Sequence, residues 1–196
     1  MDKYKVLALF GESASGKDTC LNQIIEDFPI KTHKIVSCTT RPKREKEIDA
    51  KDYFFVSEED FAKKLLDGTL IEATRFRDWF YGTPKDGLDK DKINIGVFNI
   101  EGIRCMMEEP EIDLRALYIK ASDKTRLLRA LQRELNPDCE EICRRFQTDK
   151  KDFSFIPFSH YSWLSEKTNV PQLSLKNMVF KIIQNWDNSF IIPYEK

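Results

Sequence analysis

Gly11-Glu12-Ser13-Ala14-Ser15-Gly16-Lys17-Asp18-Thr19 is the stretch whose residue types and spacing point most directly to chemistry. Two glycines with four residues between them, followed by lysine, let the backbone curl with its N–H groups turned inward. Where such a turn opens a helix it makes an anion site. The helix N-terminus adds partial positive charge, and the lysine ammonium reaches the outer oxygens of a phosphate chain. The flanks fit this reading. Val6-Leu7-Ala8-Leu9-Phe10 reads as a buried strand, and Leu21, Ile24, Ile25 and Phe28 recur at helical spacing. Strand, turn and helix are the context of a phosphate loop, G-x-x-x-x-G-K-[ST]. The chain has only seven glycines, and two stand at the two places that pattern requires. The residue after the lysine is Asp18 rather than Ser or Thr, with Thr19 beside it. Both are oxygen donors suited to Mg²⁺, and the choice between them stays open.

A second basic cluster lies in Val36-Ser37-Cys38-Thr39-Thr40-Arg41-Pro42-Lys43-Arg44. Arg41 and Arg44 present planar paired donors that suit phosphate oxygens better than lysine does, and Tyr53 and Tyr81 can add hydroxyls. The plain alternative is a solvated basic loop. Arg126, Arg129, Arg133, Arg144 and Arg145 lie on two helical segments, where such charges ordinarily form a solvated face with i,i+4 pairing. The functional alternative is a closing lid whose cations stabilise charge on a phosphoryl group in transfer.

These residues need elements to position them. Strands are expected over Tyr4–Phe10, Lys34–Cys38, Tyr53–Val56, Leu70–Phe76, Asn94–Phe98 and Leu114–Ile119, with turn chemistry at Tyr81-Gly82-Thr83-Pro84. Helices are expected from about Lys17 to Phe28, and over Phe61, Leu65 and Leu66 behind a capping box at Ser57 and before Gly68. Ser122 caps a helix carrying Leu127, Leu128 and Leu131. A charged helix runs from about Asp138 to Phe153, and a last helix turns Leu175, Met178, Val179, Ile182, Ile183 and Trp186 to one side. Alternating strands and helices mean an α/β sandwich with a largely parallel sheet.

At 196 residues, 41% hydrophobic and 33% charged, the chain can bury a core, which excludes intrinsic disorder. A net charge of -1 provides no global field toward nucleic acid or anionic membrane, so neither is an expected partner. The first apolar run is too short for a signal-peptide core or a membrane span. Five scattered cysteines without a C-x-x-C pair argue against a disulfide framework or a zinc site and for a reducing cytoplasm. Cys139 and Cys143, four apart on a helix, are expected to pack. With no internal repeat or linker, the chain reads as one compact unit.

Taken in order, Ser37-Cys38-Thr39-Thr40-Arg41-Pro42-x-Arg44, Asp52-Tyr53-Phe54-Phe55-Val56-Ser57, Leu70-Ile71-Glu72 and Tyr81-Gly82-Thr83-Pro84 resemble the guanylate kinases at matching spacing over roughly residues 5 to 150. The resemblance implies a P-loop three-layer α/β sandwich: a mostly parallel core over about 1–36, 91–128 and 154–196, an inserted monophosphate-binding subdomain over about 37–90, and a helical lid over about 129–153. It implies ATP and Mg²⁺ at Gly11, Ser13, Ala14, Ser15, Gly16, Lys17, Asp18 and Thr19. Arg41, Arg44, Tyr53 and Tyr81 would hold the acceptor phosphate, and Ser37, Glu72 and Thr83 would read guanine. Arg133 and Arg145, with Arg144 and Arg129 as rivals, would act with Lys17 and Arg41 in transfer. Val97 and Asn99 stand where family members usually carry acidic residues; Asn99 is counted with the monophosphate site, and Glu101 is the nearby carboxylate. Ser159 to Leu173, with Tyr161 and Trp163, lacks the polar pattern expected beside a donor adenine. The implied activity is phosphorylation of GMP or dGMP by ATP. The alternatives are a kinase of broader deoxynucleotide range and a non-catalytic interaction module.

Overall fold

The computed structural model describes residues 3–45, 47–76, 78–133, 135–154, 164–165 and 172–186. Its elements begin β1 (Tyr4–Phe10), α1 (Lys17–Asp27), β2 (Thr32–Lys34), β3 (Cys38–Thr39), β4 (Phe54–Phe55), α2 (Glu58–Leu66), β5 (Leu70–Phe76) and β6 (Trp79–Pro84). After a 3-10 turn at Lys85–Gly87 come β7 (Ile93–Val97), α3 (Ile100–Glu108), β8 (Ile112–Ile119), α4 (Asp123–Gln132), α5 (Cys139–Ser154), β9 (Leu164–Ser165) and α6 (Gln172–Gln184). Five strands form the core sheet in the order β2-β7-β1-β8-β9, with β2–β7 and β8–β9 parallel. A second sheet runs β4-β3-β6-β5, with β6 antiparallel to both β3 and β5. None of the helices, among the described residues, is long and apolar enough to cross a membrane.

By internal packing the chain divides into two compact units, Met1–Ala8 with Pro29–Leu114, and Leu9–Phe28 with Arg115–Lys196. The first holds the second sheet, whose core joins Cys38, Phe61 and Leu70 to Val56, Ala73 and Phe80. It also holds α3, packed on β5. In the second unit Asp27 at the end of α1 pairs with Lys176 of α6 at 3.1 Å, and the Phe28 and Phe180 rings stack at 6.4 Å. Val179, Ile182 and Trp186 of the last helix are buried, as its apolar face requires. The Leu175 and Met178 side chains lie outside the described residues.

Local chemistry sets several boundaries as expected. Ser57 Oγ accepts the Asp60 N–H at 3.0 Å, an N-cap, and donates to the Asp60 carboxylate at 2.8 Å, so the acid at the third position engages the cap's hydroxyl. Ser122 Oγ accepts the Thr125 N–H at 3.2 Å to start α4.

Five points differ from expectation. Lys34–Cys38 is not one strand: β2 ends at Lys34 beside β7, and β3 begins at Cys38 beside β6, so the chain changes sheets between them. Tyr81–Pro84 is no turn but the second half of β6, because the reversal falls between Phe76 and Trp79. Helix α3 has no counterpart among the expected elements; Gly102 in its first turn weakens the helical signal. On α4 the apolar stripe is inverted. Leu127 and Leu128 are 42% and 48% exposed, while Arg126 is fully buried. Cys139 and Cys143 are likewise exposed rather than packed.

Candidate functional site

The turn after β1 is shaped by its glycines. A Cβ on Gly11 would stand 2.2 Å from the Ile119 carbonyl oxygen, so no other residue fits there. Gly16 caps α1 at φ 104°, a left-handed conformation that side-chain-bearing residues avoid. Ala14 adopts φ 58° without that freedom, at a cost of roughly 1–2 kcal/mol that the surroundings must hold. Lys17 Nζ donates to the Gly11 and Glu12 carbonyls at 2.9 Å each, and burial pushes its pKa below the ordinary lysine value. Ser15 Oγ is buried and, among the described residues, has no hydrogen-bond partner. A cradle of this kind, with a caged ammonium and an orphaned hydroxyl, is built for an anion. Asp18 and Thr19 are exposed in the first turn of α1.

Arg126 of α4, buried and missed as a site residue, braces this turn. Its Nε donates to the Ser13 carbonyl, and its Nη1 to Glu12 and Asp123, all at 2.9 Å. Nη2 donates to Asp149 of α5, and the guanidinium lies 4.4 Å from the Phe146 ring centroid. Asp149 also accepts the Ser13 N–H at 2.8 Å. Burial raises the Glu12 pKa, and the Arg126 charge offsets part of that rise. Removing one partner of such a buried set costs about 3–5 kcal/mol. The signal in the sequence was Glu12 itself, since a carboxylate inside a phosphate turn repels its ligand unless a cation neutralises it.

The arginines expected to act in transfer are placed differently from one another. Arg129 Nη1 donates to the Ser15 carbonyl at 2.9 Å, so it reaches the turn. Arg133 is exposed at the C-cap of α4. Arg144 and Arg145 share the Glu141 carboxylate, with Nε contacts of 2.6 and 2.7 Å.

In the other unit, strand period places the residues expected to hold an acceptor. Tyr81 and Thr83 alternate with Gly82 along β6 and so share a face. Thr83 Oγ1 donates to Glu72 Oε1 at 2.8 Å and lies 3.5 Å from Ser37 Oγ. Glu72 is buried, and burial lifts its pKa to about 7, although the Thr83 hydroxyl works against the rise. Asn99 caps α3 close by: its Oδ1 accepts the Gly102 N–H at 2.6 Å, and Nδ2 lies 3.4 Å from Thr74 Oγ1. Glu101 is exposed and pairs with Arg104 at 3.4 Å.

Two residues along the same face, the Tyr81 ring lies 6.0 Å from that of Tyr53, and the Arg41 guanidinium lies 5.5 Å from the Tyr53 ring centroid. Arg41 is buried and forked onto Glu47, Nη2 reaching the two carboxylate oxygens at 2.8 and 3.0 Å. The Arg44 N–H adds a bond to Glu47 at 2.9 Å, and its guanidinium lies 3.8 Å away. Burial alone would lower the Arg41 pKa and raise that of Glu47; their mutual attraction reverses both. Glu47 escaped the sequence reading because an acid in a basic stretch looks like an ordinary surface pair. Tyr161 and Trp163 lie outside the described residues.

A glycine turn between a buried strand and a helix, with a caged lysine at its end, defines a P-loop α/β protein. A family model described as guanylate kinase matches residues 3–164. The guanylate kinase of Mycoplasma mycoides subsp. mycoides SC is 30% identical over 182 residues, covering 90% of this chain and 60% of that protein. The guanylate kinase of Wigglesworthia glossinidia brevipalpis is 31% identical over 170 residues, covering 84% of this chain and 80% of that one. The crystal structure of guanylate kinase from Anaplasma phagocytophilum has the same fold, with a TM-score of 0.65 at 22% identity over 97% of this chain and 90% of its own. The chain belongs to the guanylate kinase family. It spans about 60% of the length of its mycoplasma relatives.

Proposed function

We propose that this chain transfers a phosphoryl group from ATP to GMP or dGMP, giving ADP and the nucleoside diphosphate. The observation that carries this reading is the shared face of β6, where Tyr81 packs on Tyr53, itself 5.5 Å from the Arg41 guanidinium, and Thr83 donates to Glu72. Two residues along a strand span about 7 Å. A monophosphate laid along β6 would put its phosphate against the guanidiniums of Arg41 and Arg44 with Tyr53 and Tyr81, and its base against Glu72, Thr83, Ser37 and Asn99. Guanine offers a ring N–H and an amino group as parallel donors that one carboxylate accepts together. Adenine lacks that pair, and leaving the buried carboxylate unsatisfied costs about 1–3 kcal/mol.

On the donor side, the later amides of the turn, from Gly16 to Thr19, with the Ser15 hydroxyl and Lys17 bind the phosphates of ATP. Asp18 and Thr19 are hard oxygen donors on an exposed helix turn, which suits Mg²⁺. Among the described residues there is no cluster of three metal-ligating side chains, in keeping with an ion held by one or two protein oxygens together with phosphates and water. When bound, the ion neutralises charge on the donor phosphates. An oxygen of the acceptor phosphate attacks the γ-phosphorus and ADP departs, with no covalent intermediate on the protein. Lys17, Arg41 and the lid arginines, Arg129 first and then Arg133 and Arg145, stabilise the charge in transfer. In this scheme residues 37–90 bind the acceptor, 129–153 form the lid and the rest is core. The setting is the cytoplasm, where the five cysteines stay reduced.

The test is ADP formation from ATP and Mg²⁺ with GMP, dGMP, dTMP, dCMP or AMP as acceptor. GMP or dGMP should lead clearly. Equal turnover of dTMP or dCMP would overturn guanine selectivity. Absence of both ATP binding and ADP formation would mark a non-catalytic module of the same fold.

A further inference from the structure

Ser13 is engaged through each of its polar groups, all by residues of α4 and α5. Its N–H and hydroxyl donate to the Asp149 carboxylate at 2.8 and 3.2 Å, and its carbonyl accepts from Arg126 Nε at 2.9 Å. Asp149 and Arg126 are themselves paired within the protein, both buried. The helix that carries Asp149 is fastened on either side of it. Phe146, one turn before, lies under the Arg126 guanidinium at 4.4 Å. Phe153, one turn after, stacks on Tyr118 at 5.7 Å and on Phe10, at the end of β1, at 6.5 Å. Tyr118 closes the circuit by donating to Glu12 at 3.3 Å. Ala14, the left-handed residue of the turn, directly follows Ser13. A lone alanine does not keep that conformation unless its neighbours are held.

We infer that Arg126 and Asp149 are positioning residues for the phosphate donor: they hold Ser13, and through it the left-handed Ala14, so that the later amides of the turn stay aimed at the phosphates. Neither is a catalytic residue, since both spend their polar groups on the protein itself. Arg126 has a second effect, cancelling the charge that Glu12 would otherwise present to the ligand. The same contacts join the helix that carries the lid arginines to the turn, so displacing α5 reshapes the donor site. This inference rests on reading the turn as the ATP site.

The test compares Asp149→Ala, Asp149→Asn and Ser13→Ala with the parent in two measurements. In steady-state kinetics, Asp149→Ala should raise the apparent KM for ATP about tenfold or more and leave that for GMP within about twofold. Asp149→Asn should fall between it and the parent, and Ser13→Ala, which removes only the longer bond, should change least. In hydrogen exchange without nucleotide, the peptide over residues 11–20 should exchange faster in Asp149→Ala, and that over 70–84 should not. An equal rise in both KM values, or a folded Asp149→Ala with parental ATP KM and parental exchange at 11–20, would overturn the inference. Should Asp149→Ala not fold, the same two readouts on Asp149→Asn decide. A parent that binds no ATP would sink the assignment of the donor site, while the exchange measurement would still test the brace.

Discussion

Around the glycine turn, the charged side chains face one another. Glu12, Asp123 and Asp149 close on Arg126, Lys17 rests on two carbonyls of the turn, and the proposed ligand would meet the later amides, the Lys17 ammonium and the Ser15 hydroxyl. On β6 the arrangement is the opposite. Glu72 is buried with its pKa lifted to about 7, and among the described residues Thr83 is the donor that reaches it. The donor site is shaped in advance by ion pairs within the protein. The base end of the acceptor site carries a carboxylate whose charge is not yet compensated, and a ligand with two donors relieves it. Under the proposed function, selectivity is assigned to the place where the protein is left electrostatically strained, and affinity for a phosphate chain to the place where it is already satisfied.

The largest expected effect falls on the satisfied site. Lys17→Ala should lower phosphoryl transfer by a factor on the order of 10²–10³ or more, measured as ADP formation at saturating GMP. The strained site should respond in the opposite sense in a stability measurement. Glu72 has a folded pKa of about 7 against an ordinary 4.5, so the folded protein holds its proton more tightly than the unfolded chain does. Stability from this group is full below about pH 4.5, falls as pH rises, and is lost above about 7. Glu72→Gln should thus be more stable than the parent at pH 8, by about 3 kcal/mol in denaturant unfolding. No gain at pH 8 would remove the contrast between the two sites.

The same substitution should reduce the ratio of kcat/KM for GMP over AMP by about tenfold to a hundredfold. A smaller effect comes from pH alone. Protonation of Glu72 removes an acceptor of guanine's donors, so kcat/KM for GMP should fall about fivefold between pH 7 and pH 6. That decline should be absent in Glu72→Gln.

Much of the donor site is legible in the sequence because its chemistry is local. The turn needs glycine at left-handed positions, and strand, turn and helix follow one another within about 25 residues; the caps at Ser57 and Ser122 each act within a few residues of themselves. The residues proposed for the acceptor come from resemblance to a family, and the strand that aligns Tyr81 with Thr83 looks like a turn in the sequence. What stayed hidden depends on which way a helix faces. Leu127 and Leu128 look like a core stripe and Arg126 like a solvated charge, and only burial against α5 inverts them. Asp149 is an ordinary acid until a separate helix brings Arg126 to it, and Glu47 looks like a surface acid until its loop folds it back onto Arg41 and Arg44. Helix α3 was masked by a glycine beside its cap, a place where tertiary packing on β5 outweighs propensity.

The central claim is that two separate anion sites take two different nucleotides, and calorimetry tests it most directly. A non-hydrolysable ATP analogue and GMP are titrated separately into the parent, Lys17→Ala and Arg41→Ala. The parent should bind one of each. Lys17→Ala should lose the analogue and keep GMP, and Arg41→Ala should do the reverse. Loss of both ligands in either folded variant, or a parent that binds only one of them, would contradict the account.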